Sequence, residues 1–139
     1  MQIVIAGDSA GANLALALLS HLMHPHPSLY ALPTVDGSFK SLVLVSPWVT
    51  FDQTAPAWTR NEHFDILSKS ALKKDSDAFM HGAPVDQYNT PLSADSAWWQ
   101  NLPADSVKVM TGGRDCFADD IERFVEILKV RGHPVTDSG

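Results

Sequence analysis

The amino-acid sequence predicts an α/β fold, with a parallel sheet flanked by helices in one domain. Three short apolar runs, at residues 2–6, 42–46 and 107–111, lack strict alternation, which is typical of parallel strands covered on both faces. Helical patterns follow the first run (Ala10–Met23) and the third (residues 117–131). A chain of 139 residues, 45% apolar and 19% charged, has the length and composition of one globular domain.

The first strand is predicted at residues 2–6, and a helix over Ala10–Met23 follows almost at once. Apolar residues cover most of the circumference of this helix, with Leu14 and Leu18 along one side. A helix that is apolar on nearly all sides is expected to be buried. It is predicted to end before Pro25, because proline cannot continue a helix.

The second strand, at residues 42–46, is followed by a region in which periodicity fails, residues 47–106. A structureless stretch of this length is unusual in a compact domain, so we expect short helices there, one of them around residues 68–80. The region is predicted to form a lid-like excursion between the second and third strands. It contains all four tryptophans, for which core packing is favoured over the lining of a ligand pocket: Trp48, Trp58, Trp98 and Trp99.

The third strand is predicted at residues 107–111 and is followed by an amphipathic surface helix over residues 117–131. Acidic residues, including Asp119, fall in its first turn and basic residues in its last, where each sign of charge suits the helix dipole. Gly132 suits the C-cap of this helix. Residues 132–135 then resemble the entry to a further strand.

Charge and cysteine content exclude several classes of protein. The chain has 10 Lys and Arg against 16 Asp and Glu, a net charge of -6, and no basic cluster for nucleic acid or an anionic membrane. Its single cysteine excludes an internal disulfide framework and a cysteine-built zinc site. No apolar run approaches the roughly 18 residues of a membrane span. No signal or targeting segment is predicted, so the pattern is that of a soluble, provisionally intracellular chain.

The turn between the first strand and the first helix has the pattern G-x-S-x-G, formed by Gly7, Asp8, Ser9, Ala10 and Gly11. A serine hydroxyl is a weak nucleophile that must stand clear of the backbone, and a sharp strand-to-helix turn presents it in this way. Gly7 and Gly11 are expected where side chains would collide. The N–H of Ala10, at the start of the helix, is expected to bind an oxyanion. Five common residues can match by chance, but the flanking strand and helix favour a catalytic Ser9.

Two blocks of the chain resemble a known family. Gly-Asp-Ser-Ala-Gly followed by Ala-Asn-Leu-Ala is similar to the esterases and lipases of the α/β-hydrolase family related to hormone-sensitive lipase, in which Ala12 is usually glycine. The residues 101–120 resemble the segment that carries the acidic member of that family's catalytic triad. Carried over, the pattern implies that Asp115 orients a histidine, with Asp119 as the second acid. Residues 46–48 and 91–99 are more narrowly similar to fungal esterases, including steryl-acetate-hydrolase-like proteins.

The resemblance implies part of an α/β-hydrolase fold and a serine carboxylic-ester hydrolase that acts on a small-molecule ester through an acyl-enzyme. It implies no metal or organic cofactor. A His-Gly-Gly loop before the first strand and a histidine after the last strand belong to the family pattern. Neither is found in the 139 residues, so we expect an internal fragment that is inactive alone. The alternative is a non-catalytic remnant that acts as a binding or interaction module.

Asp115 also has a structural interpretation, since aspartate is a favoured N-cap for the helix predicted over residues 117–131. The catalytic and capping roles are compatible. Cys116 is expected to be a packed thiol rather than a nucleophile.

The histidines offer no better candidate for the catalytic base. His24 and His26 have a spacing found in metal sites, but each precedes a proline and no carboxylate or cysteine is near them in sequence. His21 is expected to be a core histidine with its hydrogen bonds satisfied. His133 precedes the last predicted strand and is at the wrong end of it to reach Ser9.

Overall fold

A computed structural model describes residues 2–30, 32–33, 35–130 and 134–138. In these residues a parallel sheet has the strand order β1-β2-β3-β4, with β1 at Val4–Asp8, β2 at Ser41–Val45, β3 at Val107–Met110 and β4 at Val135–Ser138. The helices are α1 (Ala10–Met23), α2 (Pro56–Arg60), α3 (Lys69–Met80) and α4 (Ala118–Lys129), with a 3₁₀ turn at Pro91–Ser93. None of the described helices is long and apolar enough to cross a membrane.

The predicted strands are confirmed, with shifts at their ends. β1 lies two residues later than predicted, because Gly7 and Asp8 continue its pairing with Leu44 and Val45 of β2. Glycine and aspartate have low strand propensity, so the sequence did not indicate this extension. The last predicted strand is present as β4, whereas the C-cap expected at Gly132 lies outside the described residues.

The helix expected around residues 68–80 is confirmed as α3. Its N-cap is Ser68, whose Oγ accepts a hydrogen bond of 3.3 Å from the N–H of Ala71. α2 is a further short helix in the region where short helices were expected, but its position was not predicted, because a helix of five residues is too short to show a 3.6-residue period.

One face of the sheet carries the core. Buried side chains alternate along the central strands, where Leu42 and Leu44 pair in register with Val107 and Val109. These side chains join a single cluster with the buried residues of α1 and α4. The alternate positions face away from it, and Met110 is 38% exposed. The prediction of strands covered on both faces is therefore wrong for the described residues, because their helices pack on the first face only.

α1 is buried over most of its circumference. Ala12, Leu16 and Leu19 are fully buried toward the sheet, whereas Leu14 is 71% exposed and Leu18 41%. The prediction of a helix buried on most sides is confirmed, because its exposed residues, Ala10, Gly11, Leu14 and Leu18, share one narrow strip. The helix packs on β1, β2 and the 3₁₀ turn, and segments of the region after β2 hydrogen-bond to it.

The region between β2 and β3 contains α2, α3 and the 3₁₀ turn, and its tryptophans pack into the core. Trp48, Trp58 and Trp99 are buried members of the core cluster, which confirms the core interpretation for them. Trp98 is half-buried, and its ring lies 4.0 Å from that of His24 between centroids. This packing fixes the segments that follow β2 against α1 and α4.

Candidate active site

Ser9 has a backbone conformation that L-residues rarely adopt, with φ 52° and ψ -114°. Strain of this kind costs roughly 1–3 kcal/mol and persists where the surroundings enforce it. Here the Ser9 N–H donates to the carbonyl of Val45 (2.9 Å), and the Ser9 carbonyl accepts from the N–H groups of Trp48 (3.2 Å), Ala12 (3.1 Å) and Asn13 (3.2 Å). β2, the segment that follows it and the first turn of α1 therefore hold the turn in this conformation.

Asn13 braces the same turn from within α1. Its buried side-chain amide donates to the carbonyls of Trp48 and Asn89, both at 2.9 Å. The helix that follows Ser9 is thereby tied to two segments of the long excursion. In the sequence, Asn13 is visible only as the asparagine of the Ala-Asn-Leu-Ala block that carries the family resemblance. Its two hydrogen-bond partners could not be predicted from that block.

The two glycines of the motif have different environments. A Cβ on Gly7 would lie 2.4 Å from the carbonyl oxygen of Gly11 and 2.6 Å from the nitrogen of Ala12, so Gly7 is confirmed as a position that admits no side chain. A Cβ on Gly11 would meet nothing within 4 Å. The expectation of a collision at Gly11 is therefore wrong, because this residue lies on the exposed side of α1.

The hydroxyl of Ser9 and the N–H of Ala10 make no hydrogen bonds to other described residues. Ser9 is the N-cap residue of α1, yet its side chain makes no capping hydrogen bond. The first backbone donors of the helix are Ala12 and Asn13, and Ala10 donates to no described group. A helix-terminal N–H beside a serine hydroxyl is an arrangement that can stabilise an oxyanion.

An apolar cavity of about 120 Å³ opens beside Ala10, between α1, the segment after β2, and α3. Its wall is aromatic: Trp48 and Phe51 pack edge to face at 5.1 Å between centroids, and Phe51 and Phe79 at 5.8 Å. An apolar cavity of about 150 Å³ accepts benzene, so this space fits a short apolar group. It is lined by Ala10, Asn13, Leu14, Ala17, Trp48, Phe51 and Phe79.

Asp115 lies in the turn between β3 and α4. Its Oδ1 accepts a hydrogen bond from the N–H of Phe117 (2.8 Å), and its Oδ2 lies 3.4 Å from the hydroxyl of Thr111. The structure makes Phe117 the N-cap residue of α4, which begins at Ala118. Asp115 therefore closes the preceding turn and is not the helix N-cap, so the capping interpretation is wrong.

Asp119 is engaged in holding two helices together. Its carboxylate accepts hydrogen bonds from the N–H of Ala57 (2.8 Å) and the guanidinium of Arg60 (2.6 Å), which fixes α2 against the first turn of α4. The hydrogen bond from Arg60 holds the pKa of Asp119 below its usual value.

Cys116 is a packed thiol, as predicted. It is buried, and burial raises its pKa to about 11, with the nearby Asp65 carboxylate adding to the effect. Because the thiolate is the reactive form, a thiol with a raised pKa is a poor nucleophile.

Two residues that sequence reasoning missed contact the turn around Asp115. The side-chain amide of Asn61 donates to the carbonyl of Asp115 (2.8 Å), and the carboxylate of Asp65 accepts from the N–H of Cys116 (2.7 Å). No local pattern could have indicated them, because the partners are 54 and 51 residues apart.

Ser9 and Asp115 follow the carboxyl ends of two parallel strands, so they stand at the same edge of the sheet with β2 between them. Open α/β sheets bind ligands at this edge. No described histidine hydrogen-bonds to either residue. His133 lies outside the described residues.

The histidines of α1 and the loop after it have structural contacts. His21 Nδ1 accepts from the N–H of His26 (2.8 Å), and His21 Nε2 lies 3.0 Å from the carbonyl of Tyr30. Because a carbonyl only accepts, the proton is on Nε2, and His21 is confirmed as a satisfied core histidine. His24 Nε2 likewise donates to the carbonyl of Trp98 (2.8 Å). The described residues contain no cluster of three or more side chains that could hold a metal ion.

The fold and the strand–turn–helix arrangement at Ser9 define an α/β hydrolase. Residues 1–137 match the alpha/beta hydrolase fold family, and the chain belongs to it. Its structure is similar to that of an esterase from the bacterial hormone-sensitive lipase family, with a TM-score of 0.78 and 26% identity over 98% of this chain and 42% of that one.

Sequence relatives point to the same group. An esterase of Acinetobacter venetianus is 34% identical over 128 residues, which cover 90% of this chain and 38% of the relative. The arylacetamide deacetylase of Bos taurus is 28% identical over 118 residues, or 77% of this chain and 28% of the relative. The resemblance to enzymes related to hormone-sensitive lipase is confirmed, and the family is of the esterase and lipase type.

Proposed function

We propose that Ser9 is the nucleophile of a carboxylic-ester hydrolase that works through an acyl-enzyme in the complete gene product. The observation that carries this proposal is the strained backbone of Ser9 in the turn from β1 to α1, held by hydrogen bonds to Val45 of β2, to Trp48 and to the first turn of α1. A capping role does not account for a serine there, because its hydroxyl caps nothing. The esterase relatives support the same reaction class.

In this mechanism Ser9 Oγ attacks the carbonyl carbon of the ester while its proton passes to a general base. The N–H of Ala10 donates a hydrogen bond to the carbonyl oxygen as negative charge develops on it. The bond to the alcohol oxygen then breaks, and the base returns the proton to the departing alcohol. Water attacks the acyl-enzyme in the same way, which releases the acid and restores Ser9.

The base in the proposal is the histidine that the family pattern implies, and Asp115 orients it. Two observations support this role for Asp115: it lies at the same edge of the sheet as Ser9, and one of its carboxylate oxygens is available to accept a hydrogen bond. Oδ1 is tied to the N–H of Phe117, whereas Oδ2 has only the long contact with Thr111 and so can accept from an imidazole N–H.

The proposed substrate is an ester in which one side of the carbonyl carries a short apolar group. The aromatic cavity beside Ala10 supports this choice, because few polar atoms line it and its volume of about 120 Å³ is small. Pockets for drug-sized ligands typically have volumes of roughly 300–1,000 Å³.

An alternative is that the chain is a non-catalytic module that binds an apolar group in the same cavity. The observation that favours this alternative is that no described histidine hydrogen-bonds to Ser9 or Asp115. The two proposals differ in whether Ser9 is reactive.

Labelling of the complete gene product with a fluorophosphonate probe tests the proposal. We expect the wild type to be labelled and Ser9→Ala to be unlabelled. Ser46→Ala is a matched control, because Ser46 also has a positive φ (40°) at the end of the neighbouring strand, and this variant should be labelled like the wild type. Labelling that survives in Ser9→Ala would overturn the proposal, and a folded wild type without labelling would favour the binding module.

A further inference from the structure

The peptide group that joins Asp115 to Cys116 is held at both of its polar atoms by side chains from a distant segment. Its carbonyl accepts from the side-chain amide of Asn61 (2.8 Å), and its N–H donates to Oδ2 of Asp65 (2.7 Å). A peptide plane bonded on both sides cannot rotate freely. Rotation of this plane would swing the neighbouring Asp115 side chain, so the two bonds fix its direction.

Asn61 and Asp65 belong to one closed turn after α2. The backbone carbonyl of Asn61 accepts from the N–H groups of Phe64 (2.8 Å) and Asp65 (3.1 Å), and the Asn61 N–H donates to Ala57 (2.8 Å). The second carboxylate oxygen of Asp65 accepts from the N–H of Leu67 (3.0 Å). Both side chains are thus presented from a backbone that is itself fixed.

The hydrogen bonds from Asn61 and Asp65 to the Asp115 turn are partly buried. Asn61 is 3% exposed, and a buried amide requires its hydrogen-bond partner. The guanidinium of Arg114 also lies 4.6 Å from the ring centre of Phe64, so the same two turns are joined by a second side-chain contact.

The turn that carries Asp115 is also closed by its own backbone, since the Asp115 N–H donates to the carbonyl of Gly112 (2.9 Å) and the Asp115 carbonyl accepts from the N–H of Ala118 (3.2 Å). These local bonds shape the turn, and the bonds from Asn61 and Asp65 fix it relative to the segment after α2. A displacement of about 1 Å in a catalytic group can lower a rate by about 100-fold.

We propose that Asn61 and Asp65 are positioning residues that hold Asp115 in the direction in which it binds the catalytic histidine. They touch neither substrate nor reacting atoms and act through Asp115. The inference rests on the triad role proposed for Asp115.

The test compares kcat and KM of the complete gene product with those of Asp65→Ala and Asn61→Leu, on p-nitrophenyl butyrate. Rates are divided by the number of sites that a fluorophosphonate labels at completion. We expect kcat to fall about 10- to 100-fold with KM little changed. The acid limb of the pH profile of kcat should move to lower pH, because a misdirected carboxylate stabilises the imidazolium less.

The conservative variant Asp65→Asn distinguishes the loss of one hydrogen bond from a general loss of folding. Asp65→Asn keeps an oxygen that can accept from the N–H of Cys116, so it should recover most of kcat. Leu128→Ala is the control for stability alone, since it removes a fully buried core side chain in the last turn of α4, thirteen residues after Asp115. It should lower the melting temperature and leave kcat per site and the pH profile unchanged.

Asp115→Asn, measured in parallel, separates the two proposals. If it loses kcat while Asp65→Ala and Asn61→Leu keep wild-type kcat per site and pH profile, the positioning role is overturned and the catalytic role of Asp115 stands. If Asp115→Asn keeps wild-type kcat, both are overturned. Should Asp65→Ala fail to fold, Asn61→Leu tests the same peptide group from its other end.

Discussion

Gly7 and Gly11 flank Ser9 symmetrically in sequence but not in space. Gly7→Ala should destroy the turn, because its Cβ would lie 2.4 Å from a backbone oxygen that cannot yield without moving Ser9. Gly11→Ala should be neutral or stabilising by up to about 1 kcal/mol, since its Cβ enters open space and alanine favours the helix. Thermal unfolding and fluorophosphonate labelling of both variants test this, and equal losses at the two positions would contradict it.

Asp115 lies in the turn before α4 and Asp119 in the first turn of that helix, and the two are expected to respond differently to the same substitution. Asp115→Asn should lower turnover by up to about 10⁴-fold, as loss of the acidic member does in a serine-protease triad. Asp119→Asn should cost stability on the order of 0.5–2 kcal/mol and little turnover, because Asp119 binds Ala57 and Arg60. Steady-state kinetics and thermal unfolding distinguish them. Equal kinetic losses would leave the role of Asp115 unsupported.

At the scale of elements, the first turn of α4 contains two carboxylates with opposite effects on stability. Asp120 is 3% exposed and its Oδ2 has no partner among the described residues, so burial raises its pKa despite Arg123 at 3.2 Å. A raised native pKa means that stability is lost as pH rises above the unfolded value of about 3.9. Asp119, with a lowered pKa, contributes stability above that value and loses it as pH falls.

The two asparagine variants of this turn should therefore shift the melting temperature in opposite directions. At pH 7 we expect Asp120→Asn to melt higher than the wild type and Asp119→Asn to melt lower. The Asp120→Asn difference should shrink as the pH falls to the unfolded value of about 3.9, where Asp120 is protonated in both states, whereas the Asp119→Asn difference should begin to shrink only below that value. Melting curves from pH 3 to 8 measure this. A lower melting temperature for Asp120→Asn across the whole range would show that its bond to Arg123 outweighs its burial.

The proposed substrate cavity assigns a role to α3, whose Phe79 closes one side of the cavity beside Ala10. Phe79→Ala should enlarge the cavity and move the preferred acyl or alcohol group to a longer chain. The measurement is kcat/KM over p-nitrophenyl esters from acetate to octanoate. Leu29→Ala removes an exposed apolar side chain that does not line the cavity, and this control should keep the wild-type profile. An unchanged profile in Phe79→Ala would exclude the cavity from substrate binding.

At the scale of the whole molecule, the described residues leave apolar surface uncovered in three places. The outer side of α1 exposes Leu14 and Leu18, the second face of the sheet exposes Met110, and β1 is an edge strand whose Val4 is exposed. Edges and apolar patches of this kind promote association. The 139-residue chain on its own should therefore associate. It should also not hydrolyse esters at an enzymatic rate, because no described histidine hydrogen-bonds to Ser9 or Asp115.

Size-exclusion chromatography and a p-nitrophenyl acetate assay, run on the 139-residue chain and on the complete gene product, test both statements. Leu14→Glu should reduce association of the chain by placing a charge on the exposed patch. A monomeric chain with the turnover of the complete gene product would contradict the prediction and would show that a histidine of this chain serves as the base.

Local pattern was sufficient for much of the fold and for the nucleophile turn. The strands, α1, α3 and α4 follow from the hydrophobicity and flanking residues of consecutive positions. The G-x-S-x-G turn could be predicted because its five residues and both flanking elements are contiguous. The candidate role of Asp115 came from a family resemblance, since one aspartate before a helix is also a common cap.

Tertiary structure alone decided which glycine is required, which face of the sheet is covered and what supports Asp115. The open space at Gly11 depends on what packs around α1, and the bonds of Asn61 and Asp65 join positions more than 50 residues apart. Periodicity reports only on neighbours within a few residues along the chain. Contacts between distant segments depend on how strands and helices pack, and that packing is set by the whole core at once.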